Sequence, residues 1–429
     1  MTKSSIIRVG WLLLAVFAAY NIYTVVNKQQ TKASLETSSA SLENETNQIP
    51  SDAFEGATIT FNDGSTEETP VDKRPLSLRE DCTTCTETPT NLEAIFIEDP
   101  VVAECVKKEK PKSIEDLREL YCADLSVRSI EGLQYFPNLV ELSVALAKDT
   151  NVDFELLPNL KSIGVSGNHH TTIDVSKNTA LEGLFVSRSS NITSLDLTKN
   201  KALVQLQASD NKITSLKLPK SKALEELSID GNMLTELDLS GYTNLRMIIA
   251  YGNKLRSLKL PRRSSLEELV VSGNELPHIG VPDSPNLTNV DLGNNPIVSF
   301  ILANPNLTML NISGTKISNF DPVGLPNLER LVASDLTFNR LNLSANKSLE
   351  VLDISGANLK ALDISGNRSL SYLWVRNSNL TTLDISNNTN LESFEFSPTV
   401  LTEENIRIGQ NNPNKWKSYI GRYTREHSQ

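Results

Sequence analysis

One apolar pattern recurs about every 21 residues along most of this 429-residue chain. In each copy, leucine or a similar residue occupies fixed positions in the order Leu-x-x-Leu-x-Leu-x-x-Asn-x-Leu-x-x-Leu-x-Leu. Successive copies are 20 to 22 residues apart over twelve intervals. A short period kept this constant predicts stacked repeats rather than several globular domains. The first leucines of the copies are Leu139, Leu160, Leu181, Leu203, Leu224, Leu245, Leu266, Leu287, Leu307, Leu328, Leu349, Leu370 and Leu391.

Each copy predicts one coil of an α/β repeat solenoid. The leucines point inward, and neighbouring coils cover one another's apolar layer. The central Leu-x-Leu alternates inward and outward, which predicts a strand in a parallel sheet on the concave face, with about 4.8 Å between coils. A second apolar-x-apolar unit, as at residues 195–197 and 362–364, predicts a short strand on the opposite side. Its middle residues alternate in charge through Asp196, Lys217, Asp238 and Lys259.

An asparagine follows the strand in many copies. Its side-chain amide can bond backbone groups that no strand ladder reaches, so we expect a structural role. These residues are Asn168, Asn211, Asn232, Asn253, Asn274 and Asn295. Later copies carry Thr315, Leu336, Ala357 and Ser378 instead. The sequence therefore leaves the turn geometry of those later coils open.

The first 28 residues predict export. Lys3 and Arg8 precede an apolar stretch from Val9 to Val26. Cleavage after Ala18 would make this stretch a removable signal peptide, whereas without cleavage it would anchor the chain in a membrane with the remainder outside. Both alternatives stay open, and the apolar residues beyond the cleavage position favour the anchor.

An acidic stalk is predicted for residues 29–94. Residues 31–100 hold 15 Asp or Glu against 4 Lys or Arg, so they contain most of the net charge of -11. The stretch is rich in Ser, Thr, Glu and Asn, a composition typical of disordered segments. Residues 57–61 could form one short strand, although a single strand would not be stable alone.

A capping helix is predicted where the stalk ends. Asp99 and Pro100 suit the N-cap and first position of a helix whose apolar face includes Cys105. Cys122 occupies an inward position of the coil that this helix should cover, so a disulfide between the two is expected. Cys82 and Cys85 are expected to form a local disulfide, since their surroundings lack the βαβ context of a redox motif.

The period, the turn asparagine and the preceding helix resemble the bacterial internalin-like leucine-rich-repeat proteins. Residues 97–100 before the helix and residues 130–139 after it also match that family's first repeats. The resemblance covers about residues 95–400 and implies a leucine-rich-repeat solenoid, whereas it says little about function because such folds carry many functions. This chain shows no cell-wall sorting motif, which favours a Gram-negative envelope over a Gram-positive surface.

Five segments are therefore expected. Residues 1–28 form a signal anchor or signal peptide, and residues 29–94 form the stalk. Residues 95–138 form the N-terminal cap with the coil beside it, residues 139–397 form the repeat array, and residues 398–429 form a C-terminal cap.

Two clusters of large side chains stand out among the outward positions of the predicted strands, where most residues are small or polar. Such side chains are enriched at binding hot spots, although burial between neighbouring coils would also explain them. The first cluster contains Met247, Ile249, Tyr251 and Val270. The second contains Val332, Val351, Tyr372, Trp374 and Arg376.

Binding is the expected activity, and no catalytic motif points to an enzyme. We expect a protein partner on the concave face, with a secreted adhesin or a glycan binder as alternatives. The N-terminal segment implies contact with a membrane, while the acidic net charge disfavours nucleic acid. No cofactor is indicated, and His169 and His170 lack a third metal ligand at a suitable spacing.

Overall fold

The computed structural model describes residues 57–58, 91–148, 150, 152–167, 171–187, 191–302, 304–397 and 401–409. Fourteen parallel strands form one sheet, one strand for each coil, in the order in which they occur along the chain. They are β3 (Glu119–Val127), β4 (Glu141–Leu146), β5 (Ser162–Ser166), β6 (Gly183–Phe185), β8 (Gln205–Gln207), β10 (Glu226–Ser228), β12 (Met247–Ile249), β14 (Glu268–Val270), β16 (Asn289–Asp291), β18 (Met309–Asn311), β19 (Arg330–Val332), β20 (Val351–Asp353), β21 (Tyr372–Val375) and β23 (Ser393–Phe396). The predicted leucine-rich-repeat solenoid is therefore confirmed.

The repeat places equivalent residues side by side. Leu227 pairs with Leu206 on one side and with Ile248 on the other, and all three are buried. The inward leucines of every coil join a single apolar core that runs through the array. Each coil thus depends on its neighbours for burial, as expected for a solenoid.

Short strands pair on the opposite side of the coils. The pairs are β7 (Ser194–Asp196) with β9 (Ser215–Lys217), β11 (Glu236–Asp238) with β13 (Ser257–Lys259), β15 (His278–Gly280) with β17 (Ser299–Ile301), and β22 (Leu383–Asp384) with β24 (Ile406–Arg407). The strand predicted at residues 362–364 is absent. The 3-10 helix Pro322–Gly324 replaces the back strand two coils earlier, and the coil between them has none. Residues 362–364 consequently lack a strand to pair with on that side.

Two ion pairs of the predicted charge ladder are present on these back strands. Lys217 Nζ lies 3.0 Å from Asp196 Oδ2, and Lys259 Nζ lies 3.0 Å from Asp238 Oδ2. Hydroxyl donors in the next turn and these lysines lower the pKa of both aspartates to about 2. Because the pairs are exposed, we expect each to contribute little to stability.

The helix α1 (Pro100–Glu109) covers the first coil. Asp99 caps it by accepting a hydrogen bond from Val101 N at 2.8 Å, and its second oxygen accepts from Arg128 N at 2.5 Å. A disulfide joins Cys105 of α1 to Cys122 of β3, with 6.0 Å between the Cα atoms. The predicted cap and this disulfide are both confirmed.

Two strands and five 3-10 helices complete the described elements. β1 (Ala57–Thr58) pairs antiparallel with β2 (Phe96–Ile97), so part of the strand suggested within the stalk is present. The 3-10 helices are Leu92–Ala94, Leu133–Tyr135, Phe154–Leu156, Pro322–Gly324 and Glu403–Asn405.

Two ladders of buried asparagines tie the coils together. In the predicted ladder, Asn232 Nδ2 donates to Ala208 O and Ile229 O, both at 2.9 Å, and its Oδ1 accepts from Ile213 N at 3.0 Å. In the later coils the hydroxyl of Thr315 bonds a carbonyl three residues back at 2.8 Å, as that of Ser378 also does. The second ladder was not anticipated from the sequence. It consists of Asn178, Asn200, Asn304, Asn346, Asn367 and Asn388, whose amides donate to carbonyls of the preceding coil.

Several predictions lie outside the described residues. They concern the export segment at residues 1–28, most of the stalk, the pairing of Cys82 with Cys85, and Asn168 with its neighbours His169 and His170. Most of the C-terminal cap also falls there. None of the helices in the described part combines the length and apolar character that a bilayer span requires.

Candidate functional site

The open face of the main sheet is the side that points away from the leucine core. Along strands such as β10, β14 and β16, buried and partly exposed residues alternate, so side chains on the open face form columns that run from coil to coil. On β10, for example, Glu226 lies in the first column and Ser228 in the second, and Asp230 follows in the third. The sheet therefore presents a broad surface on which residues 21 positions apart are neighbours.

The central cluster consists of Met247, Ile249, Tyr251 and Val270. Ile249 and Val270 are directly paired across β12 and β14, so their side chains are side by side in the second column. Both remain partly exposed, as does Tyr251 in the third column. Met247 is only 8% exposed and lies between Glu226 and Glu268. Three of the four predicted residues thus offer apolar surface, while Met247 mainly supports them.

The second cluster lies at the far end of the sheet. The rings of Tyr372 and Trp374 are 6.2 Å apart and tilted by 33°, and Tyr372 is 38% exposed. The Tyr372 hydroxyl donates to Glu392 at 3.1 Å, and Arg376 forms an ion pair with Glu395. This end of the face combines an aromatic pair with charged groups.

The two valines of the second cluster lie beside this aromatic pair. Val351 is paired with Tyr372 and is 8% exposed. Val332 is separated from Trp374 by Asp353, which occupies the second column between them. The second cluster is therefore less continuous as an apolar surface than the central one.

Carboxylates border the central cluster, which the sequence reasoning missed. Glu226 accepts a hydrogen bond from Gln205 Nε2 at 2.8 Å, and Glu268 accepts one from Asn289 Nδ2 at 2.7 Å. In the second column, Asp291 follows Val270. Burial raises the pKa of all three acids. These acids could have been found from the sequence, because they occupy the same columns as the apolar residues.

Phe185 is another open-face residue that the sequence reasoning passed over. It lies in the second column on β6, and its ring covers Gly183 on the same strand. A Cβ atom at Gly183 would approach the Phe185 ring to 2.8 Å, so glycine makes room for the ring. Phe185 could have been identified from the sequence, because it occupies the same outward strand position as Ile249 in its copy of the repeat.

A smaller apolar area lies on the opposite side of the coils. The rings of Phe300 and Phe320 stack at 6.0 Å, and Ile301 is 79% exposed. Ile301 is therefore a suitable control position for the open face, because it exposes an aliphatic side chain in the same part of the array. Among the described residues, no group of three His, Cys, Asp or Glu side chains is placed to hold a metal ion.

Comparisons with known proteins agree with this architecture. No protein-family model and no curated protein matches the sequence. Among solved structures, the functional domain of InlJ from Listeria monocytogenes is 26% identical, with 70% of this chain and 74% of that chain covered and a TM-score of 0.51. The leucine-rich effector protein YopM from Yersinia pestis is 22% identical, with 69% and 91% covered and a TM-score of 0.51.

One difference from the first of these structures concerns cysteine. The functional domain of InlJ includes a cysteine ladder. Residues 139–397 of this chain contain no cysteine, and its coils are linked by the two asparagine ladders instead.

Proposed function

We propose that this chain, which is an internalin-like leucine-rich-repeat protein, binds a protein partner through the central cluster on its open face. The observation that carries the proposal is the pairing of Ile249 with Val270, beside Tyr251, on a face otherwise rich in serine and acidic residues. Large apolar and aromatic side chains are poorly hydrated there and contribute most at protein interfaces.

The dimensions of the face favour a macromolecular partner. Fourteen strands at about 4.8 Å extend over roughly 60 Å, which matches a protein segment better than a small molecule. The surface is a sheet face rather than a deep cavity, and small ligands usually require concave sites that enclose them.

We further propose that the chain works outside the cytoplasm, at the bacterial cell envelope. The disulfide between Cys105 and Cys122 supports this location, because structural disulfides persist in oxidising compartments. The apolar stretch in residues 1–28, preceded by Lys3 and Arg8, supports export. Mass spectrometry of the mature N-terminus tests the location. Residues 1–18 would be retained by a membrane-anchored form and lost from a secreted adhesin, whereas recovery of the protein in the cytoplasmic fraction would contradict both.

The binding proposal is tested by capture of partners from a native envelope extract. We expect Ile249→Ser to reduce capture of a specific partner by about ten-fold, since hot-spot truncations cost more than about 1.4 kcal/mol. Ile301→Ser is the matched control, because it removes an equally apolar and more exposed side chain from the opposite side. A thermal melt of each variant verifies folding. Equal capture by wild type and Ile249→Ser, or loss only with Ile301→Ser, would show that the face was wrongly chosen.

A glycan is the second candidate ligand, favoured by the Tyr372 and Trp374 ring pair. Aromatic faces can stack on sugar rings, and the nearby carboxylate of Glu392 could accept hydrogen bonds from hydroxyl groups. A glycan array probed with wild type and Trp374→Ala distinguishes this candidate. Binding that disappears in the variant would support it, and no binding by wild type would exclude it.

A further inference from the structure

Three carboxylates border the Met247 and Val270 side chains of the central cluster. Glu226 and Glu268 flank Met247 in the first column, one on the strand before it and one on the strand after it. Asp291 lies beside Val270 in the second column. An apolar surface is thus enclosed by negative charge along the direction in which the coils stack.

Neutral donors hold these acids in position. Gln205 bonds Glu226 and Asn289 bonds Glu268, while Asp291 accepts from Ser272 Oγ at 2.9 Å and from Gly293 N at 3.0 Å. Such hydrogen bonds fix the orientation of a carboxylate and leave its charge uncompensated. Each acid is therefore oriented by the fold but not neutralised by these bonds.

Positive charge is scarce in this part of the face. Six strands of the main sheet, β8, β10, β12, β14, β16 and β18, form this part of the face. The described residues of their three columns include no lysine or arginine. Arg246, which precedes β12, is bonded to both carboxylate oxygens of Glu267 at 2.8 and 3.0 Å. Glu225, Glu226 and Glu267 also surround Arg246 electrostatically. The local charge around the central cluster consequently remains negative.

Burial makes this charge unfavourable in the unbound protein. Desolvation raises the pKa of Glu226, Glu268 and Asp291, and it outweighs the groups that lower these pKa values, which are Arg246 for Glu226 and hydrogen-bond donors for the other two acids. A ligand that covers Ile249 and Val270 would remove more water from these acids. Binding of a neutral or acidic ligand would then be penalised, whereas a cationic ligand would supply the missing partners.

We propose that the ligand of the central cluster is an extended segment of a partner protein that carries a large apolar residue between two lysine or arginine residues. The inference rests on the proposed function and specifies its partner. The apolar residue packs on Ile249 and Val270, one basic residue pairs with Glu226, and the other pairs with Glu268 or Asp291. Glu226 and Glu268 are two strands apart, a separation of about 10 Å that about three residues of extended chain can span.

A peptide array tests this inference with the full chain, purified in detergent. Its heptapeptides share a central leucine and carry arginine, serine or glutamate at the flanking positions in all combinations. We expect binding to be strongest where arginines flank the leucine on both sides and to weaken at high salt. Arginine-to-serine exchange at both flanks should reduce binding by about ten-fold or more, since each exchange removes a charge-assisted hydrogen bond.

Substitutions in the protein complete the test. Glu226→Gln and Glu268→Gln keep the size of each side chain and remove its charge, and together they should abolish the preference for arginine. Glu236→Gln is the matched control, because Glu236 is an exposed acid on the back strand of the same coil as Glu226. It should leave binding unchanged.

Different experimental outcomes distinguish a failure of this inference from a failure of the proposed function. Binding that depends on Ile249 but shows no preference for arginine, or that survives both glutamine substitutions, would overturn the inference and leave the proposed face intact. Binding that is indifferent to Ile249→Ser and to both glutamate variants would contradict both. The absence of any bound peptide would also overturn the inference, because the array contains the charge pattern that the face requires.

Discussion

Replacing one asparagine of the predicted ladder should destabilise the array locally and measurably. Asn253 is 6% exposed and bonds backbone groups of its own coil and of the preceding coil. Its amide donates to Ile229 O at 3.0 Å and to Ala250 O at 3.2 Å, while its oxygen accepts from Leu234 N at 3.1 Å. Asn253→Ala removes all three interactions without adding bulk.

The cost follows from what each group loses. Leu234 N loses the acceptor at 3.1 Å, and an unsatisfied buried donor costs about 1–3 kcal/mol. The two carbonyls keep hydrogen bonds from the asparagines of adjacent coils, so their loss is smaller. We expect a total of about 2–4 kcal/mol in the free energy of unfolding.

Asn244→Ala is the matched control. Asn244 is an exposed asparagine in the same coil and makes one hydrogen bond, from Nδ2 to Lys222 O at 2.9 Å. Its loss should cost at most about 1 kcal/mol. Urea unfolding measures both variants, and amide hydrogen exchange at Leu234 locates the change, which is necessary because repeat arrays can unfold in parts. Equal destabilisation by the two substitutions would refute the structural role assigned to the ladder.

Three further predictions concern the cap, a turn and a buried acid. Cys105→Ser opens the 17-residue disulfide link between α1 and β3 and should lower the free energy of unfolding by about 3 kcal/mol, measured by denaturation without reductant. Gly356→Ala should cost at least about 1 kcal/mol by thermal unfolding, because Gly356 has φ +71° and a Cβ there would meet the Asp335 side chain, whereas Gly366→Ala, in open space, should cost less. Asp291→Asn should stabilise the protein at neutral pH, since burial raises the pKa of Asp291 and the charged form therefore opposes folding. This advantage should vanish as the pH falls below about 3.8, and a constant difference across that range would contradict the assignment.

The repeat allowed most of the fold to be predicted from the sequence. Inward residues such as Leu206, Leu227 and Ile248 recur with the period, so their register follows directly from the alignment of the copies. The cap was also predictable, because Asp99 and Pro100 are local signals of a helix start.

The second asparagine ladder could not be predicted because its period is interrupted. Asn200 and Asn304 occupy equivalent turns, but serine stands in between at Ser221 and Ser284. There, Ser221 Oγ bonds the carbonyl of Lys201 at 2.7 Å, and Ser284 bonds a second serine in the preceding coil. Serine thus replaces asparagine at these two positions and bonds different groups, which hides the ladder from a search for identical residues.

The candidate site was predictable only in outline. Alternation along the strands indicated which residues face outward, including Ile249 and Trp374. How much of each remains exposed depends on neighbours 21 residues away, as the burial of Met247 between two glutamates illustrates. The surroundings of Glu268 likewise depend on a residue 21 positions away, because Asn289 donates a hydrogen bond to its carboxylate without neutralising the charge. Such contacts arise from stacking and have no signature within one repeat.

Photo-crosslinking to the partner tests the open face most directly. A photoreactive residue at Ser228, which is paired with Ile249, should crosslink to the bound protein. The same residue at Glu236, on the back strand of that coil, should not. Crosslinks from Glu236 in the absence of crosslinks from Ser228 would contradict binding through the central cluster.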